Sequence, residues 1–282
     1  MKKILIIIVA SLLPLAGFAQ ANITTKRLQI GDFTQKPTKI VLTGNMFYDS
    51  MLEDEILARW RISPYEFCSL EEFENIKTSD EFYFLLTVKG QFKKETEPGL
   101  QFLTLVKGGE QAEGGLSKMF EVISFPFAPA EDPSGREDVF FPAFIDIIQT
   151  YILDSMDKDI HAYIGLSNSS LNLSDTKDRT IIFSENDLCS TLTDEAKSAY
   201  FSESMIIATE DEADKYITEN DSNVVVSYTV APTNAANGSF CYKMLIDNQS
   251  HKLYYFKKHK ISKKAGAGYQ EEDLKRISSY RN

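Results

Sequence analysis

The chain repeats itself with a period of about 140 residues, and this feature constrains its fold more than any single motif. Residues 40–45 (IVLTGN) match residues 181–186 (IIFSEN), and the offset between matched positions stays at 140 to 142 along the chain. Self-similarity at a fixed period indicates repeated structural units. We therefore expect two copies of one fold in tandem.

Residues 1–19 are typical of a secretory signal peptide. Two lysines precede an apolar run at 4–15, and a small-residue cleavage site follows at 17–19. The apolar run is shorter than the roughly 20 residues that a helix needs to span a bilayer. We expect cleavage after Ala19, with Ala21 as the alternative, and export of a periplasmic or secreted protein of the cell envelope. No transmembrane segment is expected in the mature chain.

The chain is acidic, with 41 Asp and Glu against 30 Lys and Arg and a net charge of −11. Nucleic-acid phosphates need a clustered basic surface, so this charge argues against a nucleic-acid partner. Three cysteines are spread over both copies, which is too few for a disulfide framework. Cys189 and Cys241 lie in the same copy, where they either pair or are free residues of the core.

Hydrophobic periodicity and turn signals predict the same element order, β-α-β-α-β-β-β-α, in both copies. The first α/β repeat is placed at 36–163, an interdomain linker at 167–178 and the second repeat at 179–282. Right-handed crossovers bring the third strand back beside the first, with helices on both faces of the sheet. The expected fold class is α/β: two tandem three-layer domains, each with a mixed five-stranded sheet of order 2-1-3-4-5 and an antiparallel fourth strand.

Proline positions and apolar spacing give three local predictions. The three prolines within 126–133 predict an irregular segment up to about residue 138. A long apolar helix is predicted at 139–156, where Pro142 falls in the first turn, the part of a helix that tolerates proline. In the second copy, the first helix is predicted at 188–200.

The element order resembles the anticodon-binding-like fold, as in the N-terminal domain of TolB. Two phrases, Trp60-x4-Tyr65-Glu66-Phe67 and the run KLYYFKKHK at 252–260, resemble a family of secreted proteins from Bacteroidota. The resemblance covers each repeat at the level of element order and implies an exported α/β protein. It carries no functional residue over, and the sequence lacks the propeller repeats that accompany the TolB domain.

Asn45 and Asn186 occupy equivalent positions after the first strand of each copy. In open α/β folds, ligands bind at the carboxyl ends of the strands, so an amide at this position is a candidate ligand-binding group. The alternative is an N-cap, in which the side chain accepts hydrogen bonds from the first backbone N–H groups of the following helix.

Residues 251–264 contain six lysines and no acid, in contrast to the acidic remainder of the chain. Lys257, Lys258 and Lys260 are therefore candidate contacts for an anionic partner. The alternative is protection of a sheet edge, because this run coincides with the predicted fifth strand and lysines discourage pairing between exposed edges.

The sequence contains no Gly-x-Ser-x-Gly elbow, His-Glu-x-x-His helix or complete P-loop. The repeated Asp-Glu pairs at 54–55 and 194–195 point about 100° apart on a helix, so neither pair converges on one proton or metal ion. The three histidines share no zinc-ligand spacing. No metal or other cofactor is expected.

These observations favour an exported, non-enzymatic envelope protein that binds a protein partner or a cell-surface polymer. One alternative is a small-ligand-binding protein with its site between the two repeats, because domain interfaces often form pockets. A second alternative is a hydrolase whose site is built from the loops at 108–115 and 126–138, which have no equivalents of that length in the second copy.

Overall fold

The protein contains two five-stranded β-sheets. The structure is a computed structural model, which describes residues 27, 29–219 and 223–281. The predicted signal peptide and its cleavage site lie outside these residues. The first sheet contains β1 (Thr38–Val41), β2 (Tyr65–Cys68), β3 (Tyr83–Gly90), β4 (Leu100–Lys107) and β5 (Phe120–Pro129). The second contains β6 (Thr180–Ser184), β7 (Met205–Ala208), β8 (Val224–Val230), β9 (Phe240–Asp247) and β10 (Leu253–Lys260).

Seven α-helices with defined bounds accompany the sheets. They are α1 (Met46–Arg59), α2 (Leu70–Ile76), α3 (Arg136–Asp157), α4 (Asp159–Ile164), α5 (Asp194–Tyr200), α6 (Glu210–Thr218) and α7 (Glu271–Ser279).

Both sheets have the predicted strand order, β2-β1-β3-β4-β5 in the first and β7-β6-β8-β9-β10 in the second. In the first sheet, β1 pairs in parallel with β2 and β3, whereas β4 runs antiparallel to β3 and β5. The second sheet repeats this pairing strand for strand. The α/β class and the antiparallel fourth strand are confirmed, and the repeated sequence is a repeated fold.

Alternating apolar residues give each sheet two buried faces. In the first sheet, Tyr83 and Leu85 belong to the core beneath α1 and α3, whereas Phe84 and Leu86 pack with α2. In the second sheet, the corresponding first and last helices, α5 and α7, cover one face. Helix α6 lies on the other face. The helix arrangement around each sheet is therefore the same in both repeats.

A single hydrophobic core joins the two repeats, and α3 lies at its centre. Phe144 of α3 contacts Phe125 of the first sheet and Tyr228 of the second, with both pairs of ring centroids 5.2 Å apart. Phe140 contacts Tyr228 at 4.6 Å. The α1/α3 face of the first repeat thus packs on the α6 face of the second. Unlike faces meet, so the repeats are stacked head to tail.

Helix α3 begins at Arg136, three residues before its predicted start. Pro142 consequently lies at the seventh position, in the second turn, and the prediction of a first-turn proline was wrong. Gly135, with φ of 87°, reverses the chain immediately before the helix, and Glu137 and Asp138 fill the first turn where the helix dipole favours acids. The helix is long and apolar enough to cross a bilayer, but 61% of its most apolar stretch is buried in this core.

Strand β5 continues through Pro126 and Pro129, so the predicted irregular segment starts later than expected. β5 is the edge strand of the first sheet, where a missing N–H is tolerated. The β4–β5 register also shifts between Gln101 and Phe102, which pair with Ala128 and Pro126. This bulge accommodates the proline within the ladder.

The first helix of the second repeat starts at Asp194, six residues later than predicted. Thr193 caps it by accepting a hydrogen bond from Ala196 N–H. Leu188 instead forms a β-bridge with Tyr269, which lies far along the chain. This long-range pairing replaces the first turns of the predicted helix.

Residues 165–176 form a run of 3₁₀ turns that packs along β10. Leu173 is fully buried there, and the Ser170 hydroxyl accepts from the backbone N–H of Phe256 and donates to its carbonyl oxygen. The predicted linker region therefore covers part of the free edge of the second sheet.

Candidate functional site

A crevice of about 760 Å³ opens at the carboxyl edge of the first sheet, between the starts of α1 and α3. Its lining includes Asn45, Phe47, Thr87, Phe127 and Glu137. Open α/β sheets bind ligands at this edge, because strand ends and helix starts converge there. We call this feature the carboxyl-edge crevice.

Asn45 lies at the crevice, but its side chain serves α1. The Oδ1 atom accepts hydrogen bonds from Phe47 N–H at 3.1 Å and Tyr48 N–H at 3.4 Å, which makes Asn45 the N-cap. The Asp49 carboxylate accepts from the backbone N–H groups of Thr43 and Gly44, both at 2.8 Å, and holds the preceding turn. The capping alternative describes the observed contacts of Asn45.

Two apolar side chains stand exposed beside the crevice. The side chain of Phe47 is 92% exposed, and that of Met46 is 85% exposed. Both lie in the first turn of α1, whose opposite face packs into the core through Leu52 and Ile56. Large apolar groups next to a concave surface are typical of interaction sites.

The floor of the crevice combines aromatic and polar groups. The Tyr48 and Thr87 hydroxyls are hydrogen-bonded at 2.6 Å, and Tyr48 packs on Phe127 with ring centroids 6.0 Å apart. Burial raises the pKa of Tyr48, so its hydroxyl stays protonated. The floor therefore offers hydrogen bonding within an apolar surface.

Two carboxyl groups, Glu137 and Asp138, line the crevice at the start of α3. Burial raises the pKa of both groups. Glu137 accepts a hydrogen bond from Gly135 N–H at 3.2 Å, and neither carboxyl forms an ion pair within the described residues. They lie at the end of the 126–138 segment, where the hydrolase alternative places its site.

Asn186, the equivalent of Asn45, has a different environment. It lies in a single 3₁₀ turn, where Ser184 takes the capping role by accepting from Asn186 N–H. The Asn186 amide donates to Glu210 Oε2 at 3.0 Å. The structure does not bring Asn45 and Asn186 into one site.

Arg136 of the first repeat fills the corresponding edge of the second sheet. Its guanidinium bonds Asp187 at 2.9 Å, Asp214 at 2.7 Å and the carbonyl oxygen of Ser227 at 2.8 Å. It also lies over the ring of Tyr228 at 5.3 Å. The carboxyl-edge crevice is open in the first repeat, whereas the second repeat uses the equivalent edge to hold its neighbour.

The lysine-rich run forms β10, the outermost strand of the second sheet, as the predicted order requires. Lys257 Nζ bonds Glu272 at 2.5 Å and Asp273 at 2.8 Å, so its charge is balanced internally. Lys260 is exposed and forms no ion pair with any described residue.

Lys258 lies over three aromatic rings, with Nζ 4.6 Å from the centroid of Phe92, 4.0 Å from that of Phe240 and 5.2 Å from that of Tyr242. Burial lowers its pKa. These cation–π contacts connect the β3–β4 and β9–β10 regions across the two repeats. The three candidate lysines therefore have three different environments.

A second cavity, of about 360 Å³, lies between the repeats, and we call it the inter-repeat cavity. Its walls are the carboxyl half of α3, helix α4, the 3₁₀ run and the turn before β10. Asp154, His161, Asn168 and Asn172 contribute polar groups, and Leu253 contributes apolar surface.

The turn before β10 is fixed by a network of polar contacts that reaches the first repeat. His251 Nδ1 lies 2.7 Å from Asp146 Oδ2, and Arg59 Nη1 bonds the same oxygen at 2.9 Å. His251 itself has a φ of 55°, which is uncommon for a residue other than glycine. The second repeat is thereby held against α1 and α3 at one wall of the cavity.

The cysteines are buried and free. Cys241 accepts a hydrogen bond from Gly268 N–H at 3.3 Å, and burial raises its pKa to about 12. Cys189 lies 3.2 Å from the Thr191 hydroxyl. The alternative of a Cys189–Cys241 disulfide is not realised. Across the described residues, no group of three His, Cys, Asp or Glu is arranged to hold a metal ion.

Sequence reasoning missed the polar groups of the inter-repeat cavity. Asn168 and Asn172 lie in the run that is predicted to be a linker. Asp154 lies on a helix that is predicted from its apolar residues alone. The available signal was the isolated His161 beside this polar run.

No protein-family model, curated protein or solved structure matches this chain. The resemblance to the TolB domain and to secreted Bacteroidota proteins stays a prediction.

Proposed function

We propose that the protein is an exported, non-enzymatic binding protein of the cell envelope that holds part of a protein partner or cell-surface polymer in the carboxyl-edge crevice. The observation that carries this proposal is the exposure of Phe47, 92%, at the mouth of a 760 Å³ crevice. Full burial of such a side chain against a partner favours binding by about 1.5–3 kcal/mol.

The lining of the crevice supports the same function. The rings of Tyr48 and Phe127 provide apolar contact, while Thr87 and Gln101 provide hydrogen-bonding groups. Binding sites typically combine a mostly apolar surface with a few placed polar groups. The raised pKa values of Glu137 and Asp138 add two carboxyls that are more easily protonated than in water.

The proposal predicts position-specific cross-linking in the periplasmic fraction of producing cells. A photoreactive benzoylphenylalanine at Phe47 should yield a discrete adduct, because this side chain contacts the partner. The matched control is the same group at Leu57, which is 56% exposed on the same helix but outside the crevice. Equal labelling from both positions, or none from Phe47, would contradict the proposal.

The nature of the adduct separates the two partner classes. Peptides of a second protein, found by mass spectrometry of the purified adduct, identify a protein partner, whereas a ladder of adducts spaced by a repeating sugar mass identifies a polymer. Both outcomes support binding at this crevice.

A further inference from the structure

We propose that the inter-repeat cavity is a second, independent site, which binds a small neutral polyol such as a monosaccharide. This site is separate from the carboxyl-edge crevice in its lining residues and in its walls. Both repeats contribute to it, since α3 belongs to the first and β10 to the second.

The size of the cavity suits a small molecule. Its volume of about 360 Å³ lies near the lower end of the range of roughly 300–1,000 Å³ for ligand pockets. Ile147, Leu166 and Leu253 provide apolar wall against which the C–H face of a sugar ring can pack.

Several polar side chains of the lining are already engaged within the protein. The Thr150 hydroxyl donates to the carbonyl oxygen of Asp146, and the Ser250 hydroxyl donates to the Asp247 carboxylate. His251 is held by Asp146, as described for the turn before β10. These groups shape the wall and keep it in place, which lowers the entropic cost of binding.

Four other polar side chains have no hydrogen-bond partner among the described residues: Asp154, His161, Asn168 and Asn172. The Nδ1 atom of His161 is moreover buried. Buried polar atoms are normally paired, because an unpaired one costs about 1–3 kcal/mol. One buried imidazole nitrogen, two half-buried carboxamides and one exposed carboxylate therefore line the same cavity without a hydrogen-bond partner in the described protein.

The charges of the lining disfavour an anionic ligand. The Asp154 carboxylate forms no ion pair with a described residue, whereas Lys252 is neutralised by Asp175, which lies 2.8 Å from its Nζ. A hydroxyl group both donates and accepts. It can donate a hydrogen bond to the carboxylate. With a carboxamide, it can donate to the oxygen or accept from the NH₂ group. A molecule with several adjacent hydroxyls matches this set.

The test is calorimetric titration of the full chain with glucose, galactose, mannose and N-acetylglucosamine, each at millimolar concentration. At least one is expected to bind saturably. Asn168→Ala and Asn172→Ala should each weaken that binding about tenfold, corresponding to about 1.4 kcal/mol. Both residues are half-buried and lie outside the hydrophobic core, so the variants should fold. Phe47→Ala is the control and should bind the sugar unchanged.

A charged sugar completes the experiment. Glucuronate carries a negative charge and should bind at least tenfold more weakly than the best neutral sugar. The proposal is overturned if none of the four neutral sugars binds, if both Asn variants bind normally, or if glucuronate binds as tightly as the best neutral sugar. Loss of sugar binding in Phe47→Ala would also overturn it. Failure of the crevice proposal leaves these results unaffected.

Discussion

At the scale of single residues, Arg136 forms three side-chain hydrogen bonds from the first repeat to the second. A cation at the first position of α3 opposes the helix dipole. It is nevertheless buried there, because its bonds to Asp187, Asp214 and the Ser227 carbonyl join the two halves of the molecule. The repeated fold is thus assembled through a residue that has no repeat.

Replacement of Arg136 by Met should destabilise the protein by about 3–5 kcal/mol, because two carboxylates would lose their cation in a poorly hydrated site. Urea unfolding measures this change. Lys252→Met is the control: its ion pair with Asp175 is half-exposed, and its loss should cost less than about 1 kcal/mol. An Arg136→Met protein as stable as the control would show that the network contributes little.

Asp32 gives the stability a specific pH dependence. Burial alone would raise its pKa, but hydrogen bonds from Lys36, Tyr83 and Lys107 outweigh burial and lower the pKa well below its usual range. A carboxylate with a lowered folded-state pKa stabilises the fold above its unfolded pKa of about 3.9. That contribution is lost as the pH falls towards the folded-state value.

We therefore expect Asp32→Asn to be less stable than the wild type at pH 7, with a difference that shrinks as the pH falls below about 4. Urea unfolding at pH 7, 5, 4 and 3 measures the trend. Asp54→Asn, on the exposed side of α1, should show no such convergence. A difference that stays constant over this range would contradict the assigned role of Asp32.

At the scale of secondary-structure elements, the ends of the helices follow local chemistry. Thr209 and Glu212 form a complete capping box at α6, in which each side chain bonds the other's backbone N–H. Ser69 caps α2 by accepting from Glu72 N–H, but the Glu72 side chain bonds Lys39 instead of completing the box. The same pattern, Ser or Thr followed three residues later by Glu, thus forms a complete capping box at α6. At α2 the box is incomplete, because Lys39 of β1 bonds the Glu72 side chain.

Asn45→Ala should destabilise the protein by about 1 kcal/mol, because the first turn of α1 would lose its cap. Asn45→Asp keeps an acceptor oxygen at the same position and should retain most of the stability. Thermal or urea unfolding of both variants measures the effect. Equal stability of Asn45→Ala and the wild type would show that the cap is dispensable.

Elements that depend on local pattern were predictable, and those that depend on distant partners were not. The strand order followed from alternation and crossover rules, which act within one repeat. The late start of α5 depends on the bridge between Leu188 and Tyr269, which no local window contains. Strand β5 passes through Pro126 because it lies at an edge and carries a bulge.

The candidate sites divide in the same way. Asn45 was found because it follows a recognisable strand, and its contacts are local. The inter-repeat cavity was missed because Asn168 and Asn172 lie in 3₁₀ turns, which carry no periodic signal. Their convergence with Asp154 arises only from packing between the repeats.

At the scale of the whole molecule, the shared core makes the two repeats one cooperative unit. α3 is buried between both sheets, so each repeat loses the core on one face of its sheet when the other unfolds. Trp60, the one tryptophan of the chain, is buried in the first repeat and reports on that half by fluorescence.

Urea unfolding should therefore give a single transition, with the same midpoint by Trp60 fluorescence and by far-ultraviolet circular dichroism, which reports on both halves. Two separated transitions would show that the repeats unfold independently. Phe144→Ala should lower the free energy of unfolding by about 3–5 kcal/mol, because the Phe144 ring contacts both sheets. Both signals should report the same decrease.

The shared core also has a consequence for biosynthesis. The ribosome completes α3 about 70 residues before it reaches β8, whose Tyr228 covers Phe140 and Phe144. At roughly 5–20 residues per second, the phenylalanine-rich side of this helix waits several seconds for its cover. During that interval the first half of the chain carries an apolar helix face that only the second half can cover.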